Sequence, residues 1–408
     1  MGAEGAAAAR ARATERVSLW DPRGVALMAW AHFSHDLYPS FLGVLVPAIQ
    51  AKLGVSLFLA SAMVPAQQLP SIVQPLLGYI ADRTSRRWFV VLSPGVAALA
   101  LSSIGIAPHL AIVLLLLLVS GLASAAFHAP AVALVGEFGG QRLGRAMAIF
   151  MAGGELARTV APVILTAVIA HLTLDGMPLV MVVVLAASAS LFLFLRTEES
   201  DAIARRQAGS VRIRTLLRER RRPFLGLLGS VVANTAALTP PSFFLVEYLL
   251  ERGRSEWYGG LALSAFYASG IVGGLVGGSL SDWIGRRGAL LLSSLGTAPL
   301  LALYLATENG SWLMLPLLVI IGVFATPPRS VTLALANDIA PEARGPLSGF
   351  TLATSFVAQS IIALAFGAVA DAVGIERAFW LTVGASLAGV PFALLIPAQL
   401  GRMRPASS

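Results

Sequence analysis

Three ionisable residues interrupt an otherwise apolar run near the start of the chain, in the segment Ala31-His32-Phe33-Ser34-His35-Asp36. His32, His35 and Asp36 stand at i, i+3 and i+4, so a helix places them on one face. In apolar surroundings desolvation favours the protonated carboxyl, whereas a neighbouring imidazolium favours the carboxylate. Such a set can load and release a proton, or it can serve as a static hydrogen-bonded cluster that fixes helix packing. Glu155 and Arg158 form a second pair three residues apart. They either neutralise each other, or leave Arg158 free to meet an anion when Glu155 is protonated. Glu155 therefore joins His32, His35 and Asp36 as a candidate proton carrier. Arg329 has no acid within a helical turn, Asp338 being nine residues on, so it is expected to face a polar cavity and contact an anionic group of a ligand.

Other candidates for lining that cavity are His128, Gln67, Gln74, Asn234, Gln359 and Tyr267. Two arginines together with histidines suit recognition of carboxylates or phosphonates. Enzyme chemistry is not expected. The chain lacks His-Glu-x-x-His, Gly-x-Ser-x-Gly and a phosphate loop. It contains no cysteine, which removes thiol catalysis, disulfides and iron–sulfur clusters. No metal or cofactor is implied.

The elements that position these residues must be helices in lipid. Of the 408 residues, 57% are hydrophobic and 12% charged, too little charge to coat so many apolar residues in water. Apolar runs long enough to cross a bilayer occupy 24–50, 57–80, 88–107, 110–136, 146–170 and 177–195. A second set occupies 223–250, 258–281, 288–307, 311–336, 347–370 and 377–398. The expected architecture is an all-α membrane protein of twelve transmembrane helices in two pseudo-symmetric six-helix bundles. Its parts are an N-terminal tail (1–23), a first bundle (24–196), a linker (197–222), a second bundle (223–398) and a C-terminal tail (399–408). The Arg-rich end of the linker, 211–222, has the spacing of a helix lying on an anionic leaflet.

Basic residues set the expected orientation. With the N-terminus inside, 23 of the 29 Lys and Arg lie on the inner side, four lie outside and Arg158 and Arg329 lie within spans. Both termini are then cytoplasmic. The basic residues flank hydrophobic spans, so lipid rather than nucleic acid is their partner.

The two halves repeat. Gly78-Tyr-Ile-Ala-Asp82-Arg83-Thr-Ser-Arg86-Arg87 matches Gly278-Ser-Leu-Ser-Asp282-Trp-Ile-Gly285-Arg286-Arg287, the aspartates being 200 residues apart. Gln141-Arg142-Leu-Gly144-Arg145 matches Glu342-Ala-Arg344-Gly345-Pro346 at an offset of 201, and His128 is related to Arg329 by the same 201. Parallel repeats of this kind are a transporter architecture. The Gly-x-x-x-Asp-Arg-x-x-Arg-Arg loop and its echo resemble the signature of the major facilitator superfamily. Ala31–Asp36, Phe127-His128-Ala129-Pro130 and Gly153-Gly154-Glu155 resemble its fosmidomycin-resistance-type efflux carriers.

The resemblance implies a monomeric, proton-coupled secondary transporter that moves a small organic molecule by alternating access, as a drug:proton antiporter. Ala161-Pro162-Val163-Ile164-Leu165 lacks most of the Gly-Pro-x-x-Gly-Gly ending common in antiporters, so proton-coupled uptake of an organic anion stays open as the second reading. Asp82 and Asp282 are expected to pair with nearby arginines, among them Arg83, Arg86, Arg87, Arg145, Arg286, Arg287 and Arg344. Gly78 and Gly278 would allow close approach, and the whole would form a conformational latch between the halves in the outward-facing state, broken when the inside opens. Ser85 stands where the signature has Gly, whereas Gly285 conforms. Gly270, Gly274 and Gly278 supply a small-residue face for helix packing.

Overall fold

The computed structural model describes residues 20–196, 220–309, 311–340 and 344–400, with the side chains of 344–346 outside that set. The expectations for most of the N-terminal tail, for the linker helix up to residue 219, for the end of the C-terminal tail and for the Arg344 side chain lie outside the described residues.

Every regular element among the described residues is helical. The first half contains α1 (Pro22–Leu37), α2 (Leu42–Leu53), α3 (Leu57–Ser61), α4 (Met63–Gln68), α5 (Gln74–Arg83) and α6 (Arg86–Ser103). It continues with α7 (Leu110–Gly139), α8 (Leu143–Leu172) and α9 (Met181–Phe194). The second half contains α10 (Arg221–Glu251), α11 (Glu256–Ala306), α12 (Met314–Ala325), α13 (Pro327–Ile339), α14 (Arg344–Val373) and α15 (Ile375–Leu394).

Among the described residues, eight helical runs are long and apolar enough to cross a bilayer. Two of them hold two expected spans each: Leu110–Leu172, which turns at Gly140–Arg142, and Glu256–Ala306, which breaks at Gly285. The first two expected spans are not continuous helices. The run 24–50 breaks between α1 and α2, where Pro39 opens a 3-10 turn. The run 57–80 is divided into α3, α4, a 3-10 turn at Leu69–Val73 and α5, with Pro65, Pro70 and Pro75 removing backbone donors along it.

The two signature loops differ where their sequences do. Gly285 adopts φ +84° and ψ 157°, a region that side-chain-bearing residues avoid, whereas Ser85 at φ −159° is simply extended. Of the small-residue face expected around Gly270, Gly274 and Gly278, with Gly273 and Gly277 beside them, Gly270, Gly273 and Gly277 are the close-packed members, a Cβ on Gly270 lying 2.9 Å from Thr326. A Cβ on Gly273 would lie 2.4 Å from the Val323 carbonyl and one on Gly277 2.3 Å from Pro327, whereas Gly274 faces open space and Gly278 has only ordinary contact with Ser330.

The halves meet at one end only. A single apolar core on the side away from the termini takes residues from both: Phe41, Leu45 and Met63 from the first, Phe244, Leu263 and Phe366 from the second. On the side of the termini each half has a separate core, Val25, Phe127, Phe150 and Leu195 in one, Leu227, Leu335 and Ile396 in the other. Two pseudo-symmetric clasps hold the closed end. Asp371 at the end of α14 accepts hydrogen bonds from Leu57 N and Phe58 N, both at 3.0 Å, and so caps α3 of the other half. Exactly 200 residues away in each partner, His171 at the end of α8 packs its ring against Trp257 at the start of α11, with centroids 6.5 Å apart.

At the open end the signature loops stay within their own halves. Arg86 joins Asp82 (2.6 Å) to Glu137 (2.5 Å), and Arg286 joins Asp282 (2.5 Å) to Asp338 (2.8 Å). Arg87 donates to the Leu195 and Phe192 carbonyls, Arg83 lies over the Tyr79 ring and Arg145 over Trp20. A Cβ on Gly78 would touch only Ala129 of its own half, at 3.0 Å. The latch between halves is expected of the outward-facing state, and among the described residues it is not engaged in this conformation. With the two halves apart at that end, the charges instead tie neighbouring helix ends within each half.

Candidate functional site

The site is built where α1, α7 and α8 of the first half converge. Asp21 caps α1, accepting from Arg23 N and Gly24 N at 3.0 Å each, and Pro22 sets its first turn. One face of α1 then carries His32 and Asp36 into the interior. Gly154 of α8 makes room for this: a Cβ there would lie 2.5 Å from the His32 ring. The ring is also stacked on Phe150, with centroids 4.1 Å apart. This packing accounts for Gly153-Gly154 in the sequence.

Asp36 is held between two imidazoles. His32 Nε2 is 3.3 Å from Oδ2, and His128 Nε2, from α7, is 3.5 Å from Oδ1. The opposite nitrogen of each ring faces a backbone carbonyl: His32 Nδ1 that of Phe150 at 2.8 Å, and His128 Nδ1 that of Ser124 at 2.9 Å. A carbonyl only accepts, so each Nδ1 carries hydrogen and each Nε2 is directed at the carboxylate. His32 is buried, the Asp36 side chain is 12% accessible and that of His128 31%, so the cluster opens on one side.

His35 does not join it. Its ring stacks on Phe127 with centroids 4.3 Å apart, and neither nitrogen has a hydrogen-bond partner among the described residues. The shared helical face had suggested otherwise. Helical spacing brings Cβ atoms to one side, but the His35 side chain turns to pack flat on an aromatic ring. His128, expected as a ligand-binding residue, stands beside Asp36 with part of its side chain accessible. The Asp36–His128 approach depends on how α1 packs against α7, and no local spacing reports it.

Arg158 pairs with Glu155 at 3.1 Å, a half-exposed pair on α8. The Asp36 carboxylate also acts on it electrostatically. Arg329, on α13 of the second half, is exposed, has no side-chain hydrogen bond or ion pair among the described residues, and lies within electrostatic range of Arg158 and Glu155 of the first half. Charges from the two halves thus confront one another across the space between them.

The uncharged candidates divide. The Asn234 amide donates to the Ala325 carbonyl at 3.0 Å and the Tyr267 hydroxyl to the Ser242 carbonyl at 2.9 Å, both within the second half. Their expected donors are thus engaged in helix packing. Gln67 is buried, donates to the Pro39 carbonyl at 3.3 Å and leaves its Oε1 without a hydrogen-bond partner among the described residues. Gln74 and Gln359 are half-buried. Sequence reasoning missed Glu137 and Asp338, the second acids of the two loop networks. They are 201 residues apart, so the repeat offset could have found them. It also missed Asp371, for which hydropathy offers no signal.

A carrier-type membrane transporter is the class these features define: two like helical halves, joined at one end and separated at the other, with ionisable groups facing the gap. A model of the Major Facilitator Superfamily matches residues 28–298 and 253–407, and the chain belongs to that superfamily. Within it the chain resembles the fosmidomycin-resistance type. It is 25% identical to the fosmidomycin resistance protein of Escherichia coli (strain K12) over 368 residues, 88% of this chain and 89% of that one. It is 24% identical to an uncharacterised MFS-type transporter, YfnC, of Bacillus subtilis (strain 168) over 365 residues, 84% and 85% of the two chains. Among solved structures it shares its fold with the nucleoside transporter NupG (TM-score 0.76, 12% identity, 92% of this chain and 99% of that one). A second is a bacterial homologue of the lysosomal transporter Spinster in an inward-facing, unoccupied conformation (TM-score 0.73, 15% identity, 94% and 99%).

Proposed function

We propose that this protein is a proton-coupled secondary transporter that exports a small organic anion or drug by proton antiport. It sits as a monomer in a bacterial inner membrane with both termini cytoplasmic. In that orientation the described conformation is closed to the outside and open to the cytoplasm.

The observation that carries the reading is the Asp36 carboxylate at mid-span, bracketed by His32 and His128 and open on one side. A lone carboxylate in a membrane span costs several kilocalories, so it is retained where it serves a function. Protonation cancels the charge facing the two rings and deprotonation restores it, so proton occupancy is tied to local packing. Arg158 and Arg329 reach the same space from opposite halves. An anion bound between them would draw the open ends together, and its binding would thereby favour the conformational change. The E. coli relative's name supports a drug as cargo and export as direction.

Uptake by proton symport is the second reading, and Ala161–Leu165 favours it by departing from the usual antiporter ending. Reconstituted vesicles of defined orientation decide between them. Antiport predicts that a proton gradient drives fosmidomycin, or another anion from a screen of carboxylates and phosphonates, against the direction of proton flow. Movement with the protons would establish symport, and indifference to the gradient would refute both.

A further inference from the structure

We infer that His32, Asp36 and His128 form a binding site for a divalent transition-metal ion of the zinc class. The inference rests on the cluster's geometry and goes beyond the transport reading.

The distances are the first argument. One donor atom from each residue lies within 4.8 Å of the others, and the imidazole–carboxylate separations are 3.3 Å from His32 to Oδ2 and 3.5 Å from His128 to Oδ1, so both carboxylate oxygens face the gap. Zinc binds imidazole nitrogen and carboxylate oxygen at about 2.0–2.2 Å in a tetrahedron, whose edges are then roughly 3.3–3.6 Å. An ordinary charge-assisted hydrogen bond would be shorter, about 2.7–2.9 Å. These separations suit two donors on one ion better than two groups sharing a proton.

The tautomers are the second. Both Nδ1 atoms donate to backbone carbonyls, Phe150 for His32 and Ser124 for His128. In its neutral form each ring therefore aims an Nε2 lone pair at a carboxylate oxygen that also offers only lone pairs. Three electron-rich atoms facing one another call for positive charge between them. A ligating histidine whose other nitrogen is fixed by a carbonyl is the usual outer-shell arrangement of a metal site.

Rigidity and access complete the case. His32 is clamped between Gly154 and the Phe150 ring, so one donor is preset. The cluster opens on the side of His128, leaving room for a water or an anionic ligand at a fourth position, as catalytic and regulatory sites do and closed structural sites do not. Two imidazoles and one carboxylate favour zinc, cobalt or nickel over magnesium or calcium, which prefer all-oxygen shells. An ion seated here excludes the protons that the transport reading assigns to Asp36, so zinc should also arrest transport.

The test is calorimetric titration of zinc chloride into the tag-free, chelator-treated full chain in detergent, with no gradient present. The chain has no cysteine and five histidines, which keeps the background low. One equivalent is expected to bind with a dissociation constant in the micromolar range or below. His32→Gln, His128→Gln and Asp36→Asn should each weaken it at least tenfold, and His171→Gln should not. Cobalt gives a readout on the wild type alone: intense visible bands of a four-coordinate site are expected, abolished by added zinc. Zinc binding no tighter than millimolar, affinity unchanged in His128→Gln, or a cobalt spectrum of the six-coordinate aqua type would each overturn the inference. Binding without proton-driven flux would count against the transport reading alone, and flux without binding against this inference alone.

Discussion

Asp371→Asn tests the closed end of the molecule. The carboxylate accepts from two backbone N–H groups at the start of α3, Leu57 N and Phe58 N, each at 3.0 Å. These bonds join the halves and are lost when that end opens. A side-chain cap of this kind is worth about 1 kcal/mol, and exposure of Asp371 argues against a larger figure. Asparagine keeps one acceptor oxygen and loses the charge, so most of that stabilisation should go. At tenfold per 1.4 kcal/mol, the ratio of opened to closed populations should rise about fivefold. Spin labels on cysteines replacing Ala51 and Ala372, one in each half, report the separation directly, because the chain has no native cysteine. The long-distance fraction should grow about fivefold in the variant, with part of the effect mimicked by His171→Ala at the pseudo-symmetric clasp. An unchanged distance distribution would refute the view that Asp371 holds the halves together.

Two further substitutions probe the site and the loop. Arg329→Gln should raise the half-saturation concentration for an anionic substrate roughly tenfold, since a charge-assisted pair is worth about 1.5–3 kcal/mol. Unchanged affinity, measured by initial-rate flux, would show that the cavity is not built for anions. Gly285→Ala forces a side chain into φ +84° and ψ 157°, a cost of about 1–3 kcal/mol, and should lower the melting temperature in a thermal-shift assay. Ser85→Gly, at an ordinary extended position, should leave it nearly unchanged, and equal effects at both would contradict the conformational argument.

Much of this architecture is legible because lipid imposes simple rules. Long apolar runs must become helices, and a duplicated motif at a constant offset announces two like halves. Pairs close in sequence are legible too, since i, i+3 and i, i+4 spacing is enough to bring Glu155 to Arg158, Asp82 to Arg86 and His32 to Asp36. What escapes is whatever depends on one helix meeting another. His128 reaches Asp36 only through the packing of α7 on α1, and Asp371 reaches α3 across 314 residues of chain. The aromatic stacking that turns His35 away is equally invisible in the spacing. The interruptions of the first two spans were visible as Pro39, Pro65, Pro70 and Pro75, but hydropathy averages over them. Competing partners also defeat local reasoning. Of the arginines near Asp82, Arg86 takes it, while Arg83 and Arg87 find an aromatic face and free helix-end carbonyls.

The central claim, that Asp36 couples transport to protons, is tested most directly by flux in vesicles. Wild type and Asp36→Asn are reconstituted in parallel, with a chelator present to exclude metal, and fosmidomycin flux is recorded with and without an imposed pH gradient. Wild-type flux should respond to the gradient. The variant, folded as judged by its melting temperature, should exchange substrate down its own concentration gradient and ignore the pH gradient. A variant that follows the pH gradient as the wild type does would contradict the account.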